Sequence, residues 1–224
     1  MTRALTHFDL PVTVPSRAMT LDGFRTWATS DDFPESGRIS FINNGVILDM
    51  SPENAYLHST AKAEISRVIS TEIRDRDLGV FYPDRVLLTN EAAGLSTEPD
   101  AMFASWATLE SKRLVGIPPQ DSEGAKEMLG TPDWVLEVVS PSSIKKDTQL
   151  LREAYHKAGI PEYWLVNALR KDLQFDVLVW KAKGYEPAKP KAGWRRSPVF
   201  GRRFKLTRER NRIGDWGYTL HVGR

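Results

Sequence analysis

The sequence predicts a mixed α/β (α+β) domain built on a curved, mostly antiparallel sheet. Three observations support this fold class. Apolar residues recur at helical spacing over residues 51–77, which indicates an amphipathic helix that packs on a sheet. Short segments with strand character lie between turn residues along the chain. Residues 134–139 are apolar except for Glu137, a pattern typical of a central strand covered on both faces.

The N-terminal part predicts a short helix followed by a hairpin. Thr20 can cap a helix over residues 21–27, because its hydroxyl can accept a bond from an unpaired N–H of the first turn. Two strands then follow at residues 38–42 and 46–50. The Asn-Asn-Gly sequence between them supplies the positive φ angles that a hairpin turn needs.

The middle of the chain predicts the long helix and the strands it covers. The helix runs from about residue 51 to 77, with an apolar stripe of Leu57, Ala61, Ile65, Val68, Ile69 and Ile73. Strands are expected at residues 80–82, 85–89, 100–104 and 134–140.

The remaining segments complete an α/β order. Residues 116–132 are polar and irregular, so we expect a surface excursion there. A second helix is expected over residues 146–157, ending at Gly159, a favourable helix terminator. Strands at residues 162–166 and 173–180 follow, with short β segments after them.

The composition is that of one compact domain. The chain has 224 residues, of which 41% are apolar. We therefore expect a single domain over residues 1–224, with a basic, β-rich segment at about 170–224.

The absence of cysteine excludes disulfides, a cysteine nucleophile and cysteine-ligated zinc. Residues 1–16 contain no sustained apolar stretch, so we expect no secretory signal, no membrane anchor and a cytoplasmic location.

The motifs of several common hydrolases are missing from the sequence. It contains no Walker phosphate loop, no histidine pair with metalloprotease spacing and no Gly-x-Ser-x-Gly elbow. It therefore offers no support for P-loop hydrolysis of nucleotides, zinc-dependent proteolysis or a serine triad.

The C-terminal part concentrates positive charge that the overall balance hides. The formal net charge is only +2, yet lysine and arginine greatly outnumber Glu186 and Glu209 within residues 181–212. A basic segment with interspersed aromatic residues suits contacts with phosphates and bases. The alternative is a solvated charged face. The residues predicted to contact nucleic acid are Lys191, Arg195, Arg196, Arg202 and Arg203.

Two carboxylates at strand positions are candidate metal ligands. Glu137 lies in an apolar strand, where burial of an ionised carboxylate is costly unless a cation or hydrogen-bond donors compensate it. Asp100 opens a second predicted strand. If the strands pair, the two acids can share Mg²⁺, which prefers oxygen ligands and supports phosphodiester hydrolysis. The alternatives for Glu137 are an edge strand that reaches water or an ion pair with an arginine.

A set of motifs extends over most of the chain. It comprises Asp49-Met50-Ser51-Pro52 with His58, Glu98-Pro99-Asp100, residues 132–143 around Glu137, Lys146-Asp147, and residues 158–166. Together these motifs resemble the Uma-two family of restriction-endonuclease-type proteins, within the PD-(D/E)XK nuclease superfamily. The resemblance implies a restriction-endonuclease-like sheet flanked by helices, and nuclease activity on nucleic acid.

The resemblance also implies a metal site with one departure. It makes Asp100 the first acidic ligand and Glu137 the second. The superfamily pattern has a lysine two residues after the second acid, but this position is Val139. In the Uma-two family a lysine four residues after the aspartate that matches Asp147 substitutes for it, and here that residue is Leu151.

Other residues are candidates for the missing lysine or for accessory roles. We favour Lys146, with Lys145 second and Arg152 third, because a lysine can both orient the water and stabilise charge on the phosphate. The alternative is that both lysines contact solvent or phosphate. His58 is an accessory candidate from the resemblance, although a capping or solvent-facing role is favoured. Glu64 is a possible third acid or a solvated helix charge.

The leading functional hypothesis is a Mg²⁺- or Mn²⁺-dependent endonuclease, a hydrolase that acts on nucleic acid, with DNA favoured and no membrane partner. A homodimer would suit double-strand cleavage with two-fold symmetry. The second hypothesis, motivated by Val139 and Leu151, is an inactive nuclease fold that binds nucleic acid or protein. A structural protein without a nucleic-acid partner would need the basic segment to pair internally.

Overall fold

The structure, a computed structural model, describes residues 12–118 and 123–224. Its fold is mixed α+β with mostly antiparallel sheets, so the predicted fold class is confirmed. The α-helices of the described residues are α1 (Leu21–Ala28), α2 (Thr60–Asp75), α3 (Trp106–Glu110) and α4 (Leu151–Lys157). A 3₁₀ turn (Ser16–Met19) precedes α1, and π-helical turns precede α2 (Ala55–Ser59) and α4 (Lys146–Leu150).

The strands form three sheets rather than one. Sheet 1 has the order β2-β1-β5-β4-β8-β7, sheet 2 has β12-β11-β10-β9-β6-β3, and sheet 3 has β13-β14-β15. The strands are β1 (Arg38–Ile42), β2 (Gly45–Asp49), β3 (Gly79–Pro83), β4 (Leu87–Asn90), β5 (Leu95–Thr97), β6 (Ala101–Ser105), β7 (Leu114–Ile117), β8 (Glu127–Gly130), β9 (Trp134–Val138), β10 (Glu162–Asn167), β11 (Gln174–Lys181), β12 (Gly184–Pro187), β13 (Arg195–Ser197), β14 (Arg202–Arg210) and β15 (Trp216–Gly223).

Sheet 2 is the centre of the molecule. β9 lies between β6 and β10 and is buried along its whole length. On one face its side chains share a core with Ile65 and Ile69 of α2. On the other face they share a core with Leu151 and Tyr155 of α4. The prediction of a central strand covered on both faces is confirmed, and an edge strand carrying Glu137 is excluded.

Local capping and turn chemistry agree with the sequence. The Thr20 side chain accepts a hydrogen bond from the Gly23 N–H at 3.2 Å, which satisfies one of the free amides of α1. Asn43 and Asn44 have φ angles of 51° and 61° between β1 and β2. This is the left-handed conformation that a tight hairpin needs.

The sequence was wrong about two segments. The long helix becomes α-helical only at Thr60, because Asn54 caps a π-helical turn that precedes it. Within residues 116–132, β8 pairs with both β4 and β7, so this part belongs to sheet 1 and is no surface excursion. Residues 119–122 of the predicted excursion lie outside the described residues. The same is true of residues 1–11, where the sequence predicted no secretory signal or membrane anchor. No helix of the described chain is long and apolar enough to cross a membrane.

A second buried carboxylate, Glu162 at the start of β10, joins sheet 2 to sheet 3. It accepts hydrogen bonds from Ser197 Oγ at 2.6 Å, Trp164 Nε1 at 2.5 Å and Val199 N at 3.2 Å. Burial raises the pKa of Glu162 from its ordinary 4.5 to about 7, although these donors oppose the shift. Because the folded chain keeps this proton to a higher pH than the unfolded chain, folding is coupled to protonation of Glu162.

We expect the free energy of unfolding to fall as pH rises from about 4.5 to about 7, by up to about 3 kcal/mol from Glu162. Below this window both states hold the proton, and above it both have lost it. Urea unfolding of the wild type and of Glu162→Gln at pH 5 and pH 8 measures the effect as a difference. If the two proteins lost the same stability between these pH values, the assignment to Glu162 would be wrong.

Candidate functional site

One cleft gathers many of the buried charged side chains. It lies where β9 ends, between the π-helical turn before α2 and the π-helical turn before α4. Its cavity volume is about 20 Å³, which is room for about one water molecule. Its charged or ionisable lining consists of Arg38, Asp49, Glu53, His58, Asp100, Glu137, Lys146 and Asp147.

Asp100 and Glu137 face this cleft from adjacent strands. Ala101 pairs with Leu136 across the antiparallel strands β6 and β9, so Asp100, just before β6, lies beside Glu137, just after Leu136. The Val138 N–H donates to Asp100 Oδ2 at 2.7 Å. Asp100 and Glu137 are each 2% exposed, and the charge of Asp100 acts on Glu137. The two carboxyl groups therefore share one buried site.

Positive and ionisable groups surround Asp100. Arg38 Nη2 lies 3.3 Å and Lys62 Nζ 3.6 Å from Asp100 Oδ1, while His58 Nε2 lies 3.4 Å from Oδ2. Burial by itself would raise the pKa of Asp100. His58, Arg38 and Lys62 outweigh burial and hold this pKa well below its usual range. Asp100 is therefore ionised at neutral pH.

Glu53 and Asp84 extend this network. Arg38 Nη2 lies 2.6 Å from Glu53 Oε1 and 2.9 Å from Asp84 Oδ2. Lys62 Nζ lies 2.8 Å from each of the same two oxygens. Burial opposes ionisation of Glu53, but Lys62 and Arg38 lower its pKa to about 2. Two permanent cations, Arg38 and Lys62, thus already offset most of the negative charge of the three carboxylates on this side of the cleft.

Three of these side chains could also hold a metal ion. Glu53, His58 and Asp100 offer ligand atoms that all lie within 4.8 Å of one another. His58 Nδ1 is buried and makes no hydrogen bond, although Glu53 Oε2 lies 3.1 Å away with unfavourable geometry. Burial lowers the pKa of His58, but Asp100 and Glu53 raise it more, so this nitrogen binds a metal ion only after the imidazole has lost its proton. Asp100 belongs both to this group and to the pair with Glu137.

Glu137 has less compensation than Asp100. Tyr155 Oη of α4 donates to Glu137 Oε1 at 2.6 Å. Burial raises the pKa of Glu137 well above its usual range; Lys146 opposes this shift, and Asp147 and Asp100 add to it. The surroundings of Glu137 are therefore short of positive charge.

Lys146 lies on the Glu137 side of the cleft, in the π-helical turn before α4. It is 9% exposed, and its Nζ lies 3.5 Å from Asp147 Oδ1. Burial lowers the pKa of Lys146, but Glu137, Asp147 and Asp100 raise it more, so the net shift is upward. Lys146 therefore carries its proton at neutral pH. Burial also raises the pKa of Asp147, to about 6, against the Lys146 charge and the hydrogen bond from Ser143.

His58 lines the cleft and is only 4% exposed, so the solvent-facing role favoured from the sequence is wrong. The capping role belongs to Asn54, whose Oδ1 accepts hydrogen bonds from the N–H groups of Tyr56 and Leu57 at 3.1 and 2.9 Å. The helix start thus directs His58 inward, toward Asp100.

Three other predicted site residues do not line the cleft. Lys145 is exposed. Arg152 Nη2 donates to the Tyr185 carbonyl at 2.9 Å. Glu64 accepts a hydrogen bond from the Leu220 N–H at 3.1 Å and so anchors β15 on α2. Val139 and Leu151, where a lysine was expected, are fully buried in the apolar core.

One of the predicted nucleic-acid contacts, Arg202, lies near the far end of α2. Arg202 Nε lies 3.6 Å from Glu72 Oε2, roughly 20 Å along the helix from His58 at 1.5 Å per residue. Arg195 Nη2 lies 3.8 Å from Asp176 Oδ1. None of the five residues lines the cleft, and their contact with nucleic acid stays a prediction. The other three, Lys191, Arg196 and Arg203, are exposed.

The sequence analysis missed Arg38, Glu53, Lys62 and Asp84. They come from a strand start, a loop, a helix and a turn that are far apart in the chain. Nothing in their spacing marks them as a group, and each alone is an ordinary surface charge. Only the packing of β1 and α2 against β6 brings them to Asp100.

Comparisons with known proteins agree with this fold. The family model Uma2, described as "Putative restriction endonuclease", matches residues 21–209. A crystal structure of "a putative nuclease belonging to DUF820" from Anabaena variabilis aligns with a TM-score of 0.60, covering 81% of this chain and 90% of that chain. The sequence identity is 21%, so this likeness shows the fold. Among curated proteins, no sequence matches the chain significantly.

Proposed function

The chain belongs to the Uma2 family of restriction-endonuclease-type proteins, and from this premise we propose that it is a divalent-metal-dependent endonuclease that hydrolyses nucleic-acid phosphodiester bonds. The observation that carries the proposal is the buried carboxyl pair Asp100 and Glu137, with Lys146 in the same cleft. Buried acids that lack full compensation are the groups that a dication stabilises.

Asp100 and Glu137 are the proposed metal ligands. Glu53 and the Oδ1 atom of Asp100 already face Arg38 and Lys62, so a dication there would meet two resident cations. Around Glu137, burial is the main cause of the raised pKa, and the Lys146 cation stands against the negative charges of Asp147 and Asp100. A hard cation such as Mg²⁺ or Mn²⁺, which prefers oxygen ligands, fits the Glu137 side best. His58 then serves as an accessory group that orients Asp100.

The protein groups around this pair have distinct roles. When bound, the metal ion would polarise the phosphate and lower the pKa of the attacking water. Tyr155 holds Glu137 Oε1 in place through its hydroxyl group. Lys146 is protonated, so it stabilises negative charge that develops on the phosphate and orients the water by hydrogen bonding. In this scheme Lys146 supplies the ammonium group that neither Val139 nor Leu151 can supply.

A nuclease fold without catalysis is the second candidate function. It is favoured by the apolar residues Val139 and Leu151 at the usual lysine positions. Such a module would bind nucleic acid in a salt-dependent manner without cleaving it. The endonuclease is preferred over this candidate because Lys146 brings an ammonium group to the cleft beside Glu137.

The same function implies a substrate, a cellular location and an oligomeric state. We propose DNA as the substrate and the cytoplasm as the location. A homodimer would place two clefts in register with the two strands of a duplex.

The test of this function is a plasmid-nicking assay. We expect the purified protein to convert supercoiled DNA to open-circular or linear forms when Mg²⁺ or Mn²⁺ is added, and not in EDTA. Titration calorimetry with each ion separates the candidates, because the endonuclease must bind the metal. Absence of both cleavage and metal binding, with DNA binding retained, would favour the inactive module instead.

A further inference from the structure

We propose that the tip of the β14–β15 hairpin, residues 208–216, holds the nucleic-acid backbone that enters the cleft. The surface around Arg196 and Arg203 does not have this role. The inference rests on the proposed nuclease function and names its substrate-binding surface. Four structural features support it: the position of the tip, its direction, the face it presents and its arginines, which form no ion pair within the described chain.

The tip is anchored at the end of sheet 2 where the cleft lies. Arg208 Nη1 donates to the Ala168 carbonyl, and Nη2 donates to the Arg170 carbonyl, each at 2.8 Å. Ala168 directly follows β10. Within this strand Val166 pairs with Val138, the residue after Glu137. The guanidinium group of Arg208 therefore fixes the tip to the end of sheet 2 where the cleft lies, on the face of the sheet that packs against α2.

The hairpin also points toward the start of α2. Leu220 of β15 binds Glu64, and Arg202 near the base of β14 lies against Glu72, so the hairpin runs beside the helix toward His58. From Leu220 back to Trp216, the first residue of β15, the strand extends about 13 Å at 3.3 Å per residue. From Glu64 back to His58 the helix covers only about 9 Å, so the strand is long enough to reach the level of His58. β15 also contacts the turn that carries His58, so the tip lies near the start of α2, on the side of the cleft that His58 lines.

The alternation of side chains along β14 decides which arginines lie on the face of the hairpin that packs against α2. Phe204 and Leu206 of β14 are buried in the core shared with α2. Because strand side chains alternate, the same face continues beyond the core as Arg208 and Arg210. Both guanidinium groups lie over the ring of Trp216 across the ladder, with Cζ 4.3 Å and 3.8 Å from its centre. Arg196 and Arg203 are opposite each other in the register of β13 and β14, and their side chains lie on the other, outward face.

The arginines of the tip form no ion pair within the described chain, although Glu209 and Asp215 lower the formal charge of residues 208–216 from +3 to +1. In the described part of the chain, no carboxylate pairs with Arg208 or Arg210, which bind carbonyl oxygens instead. Arg212 is exposed beside Ile213, whose side chain is 72% exposed. Guanidinium groups next to an indole and an exposed apolar side chain combine phosphate binding with surfaces on which a sugar or base can stack. A nucleic-acid backbone is the partner that fits this combination.

The experiment compares two charge reversals of equal size. One protein carries Arg210→Glu with Arg212→Glu at the tip, and the other carries Arg196→Glu with Arg203→Glu on the outward face. Arg208 is left unchanged because it holds the backbone of the tip. Binding to a fluorescent duplex is measured by anisotropy in EDTA, which prevents cleavage, over a range of salt concentrations. We expect at least about a tenfold loss of affinity and a flatter salt dependence for the tip variant, with each lost phosphate contact lowering the slope by about one.

The matched variants separate failure of this inference from failure of the function. The outward-face variant should bind within about threefold of the wild type, and Arg210→Lys with Arg212→Lys should retain binding, which would assign the effect to charge. Equal losses in both variants, or no loss at the tip, would overturn the inference while wild-type plasmid nicking keeps the function intact. A wild type that neither binds nor cleaves DNA would overturn both.

Discussion

Glu137→Gln is expected to abolish metal-dependent cleavage, with a rate reduction of at least about a thousandfold, because it removes a charged ligand from the proposed metal site. The amide has nearly the same shape and can still accept the hydrogen bond from Tyr155. The substitution therefore changes the charge at β9 while keeping the packing. Initial rates of plasmid nicking and calorimetric titration with Mn²⁺ measure the two expected losses.

Glu162→Gln is the matched control for this substitution. Glu162 is also a buried glutamate of sheet 2, on the strand next to β9, but its partners are Ser197 and Val199 and it does not line the cleft. We expect Glu162→Gln to cleave DNA and bind metal like the wild type. Full metal binding and cleavage by Glu137→Gln would show that Glu137 is not a ligand, whatever the role of Asp100.

Lys146→Met is expected to lower the cleavage rate about a hundredfold or more while leaving metal binding nearly intact. Methionine fills a similar volume, so it removes the ammonium group that faces Glu137 and Asp147 without opening a large cavity. The loss should appear in kcat more than in KM, because the charge acts on the phosphate as the reaction proceeds. Single-turnover rates and Mn²⁺ titrations of the same preparation measure the two effects.

Lys145→Met is the natural control, since it removes the same charge from the neighbouring exposed position. It should change the cleavage rate by less than about threefold at moderate salt. Lys146→Arg should be intermediate, because arginine keeps the positive charge but differs in shape and hydrogen-bonding geometry. If Lys145→Met proved as damaging as Lys146→Met, the missing lysine would have to be assigned elsewhere, with Lys62 beside Asp100 as the first alternative.

Part of this site could be read from the sequence because its signal is local. An acid within an apolar strand is costly whatever the surrounding fold, so Glu137 was recognisable from its immediate neighbours. Asp100 was found in a similar way at the start of β6. The structure places both on one cleft with Lys146, which the sequence could only favour among neighbouring candidates. The caps and the hairpin turn were also predictable, because a few consecutive residues decide them.

The charged network around Asp100 had no local signal. Arg38, Lys62 and Asp84 lie on three different elements, and their contacts depend on how β1 and α2 pack beside β6. The same holds for the positive surface. A run of lysines and arginines in the sequence predicts a basic region, but strand alternation and the direction of the hairpin decide which of these charges face the cleft.

By itself the sequence determined the mixed fold class, the central buried strand and the acid within it. These features follow from periodicity and from the cost of burying charge, which act over a few residues. Only the tertiary structure decided that β8 joins a sheet and that His58 faces inward. The tertiary structure also places two cations, Arg38 and Lys62, beside Asp100, whereas Glu137 has only Lys146 nearby. The reason is physical, since electrostatic compensation depends on distances in space, and these distances are set by contacts between segments far apart in the chain.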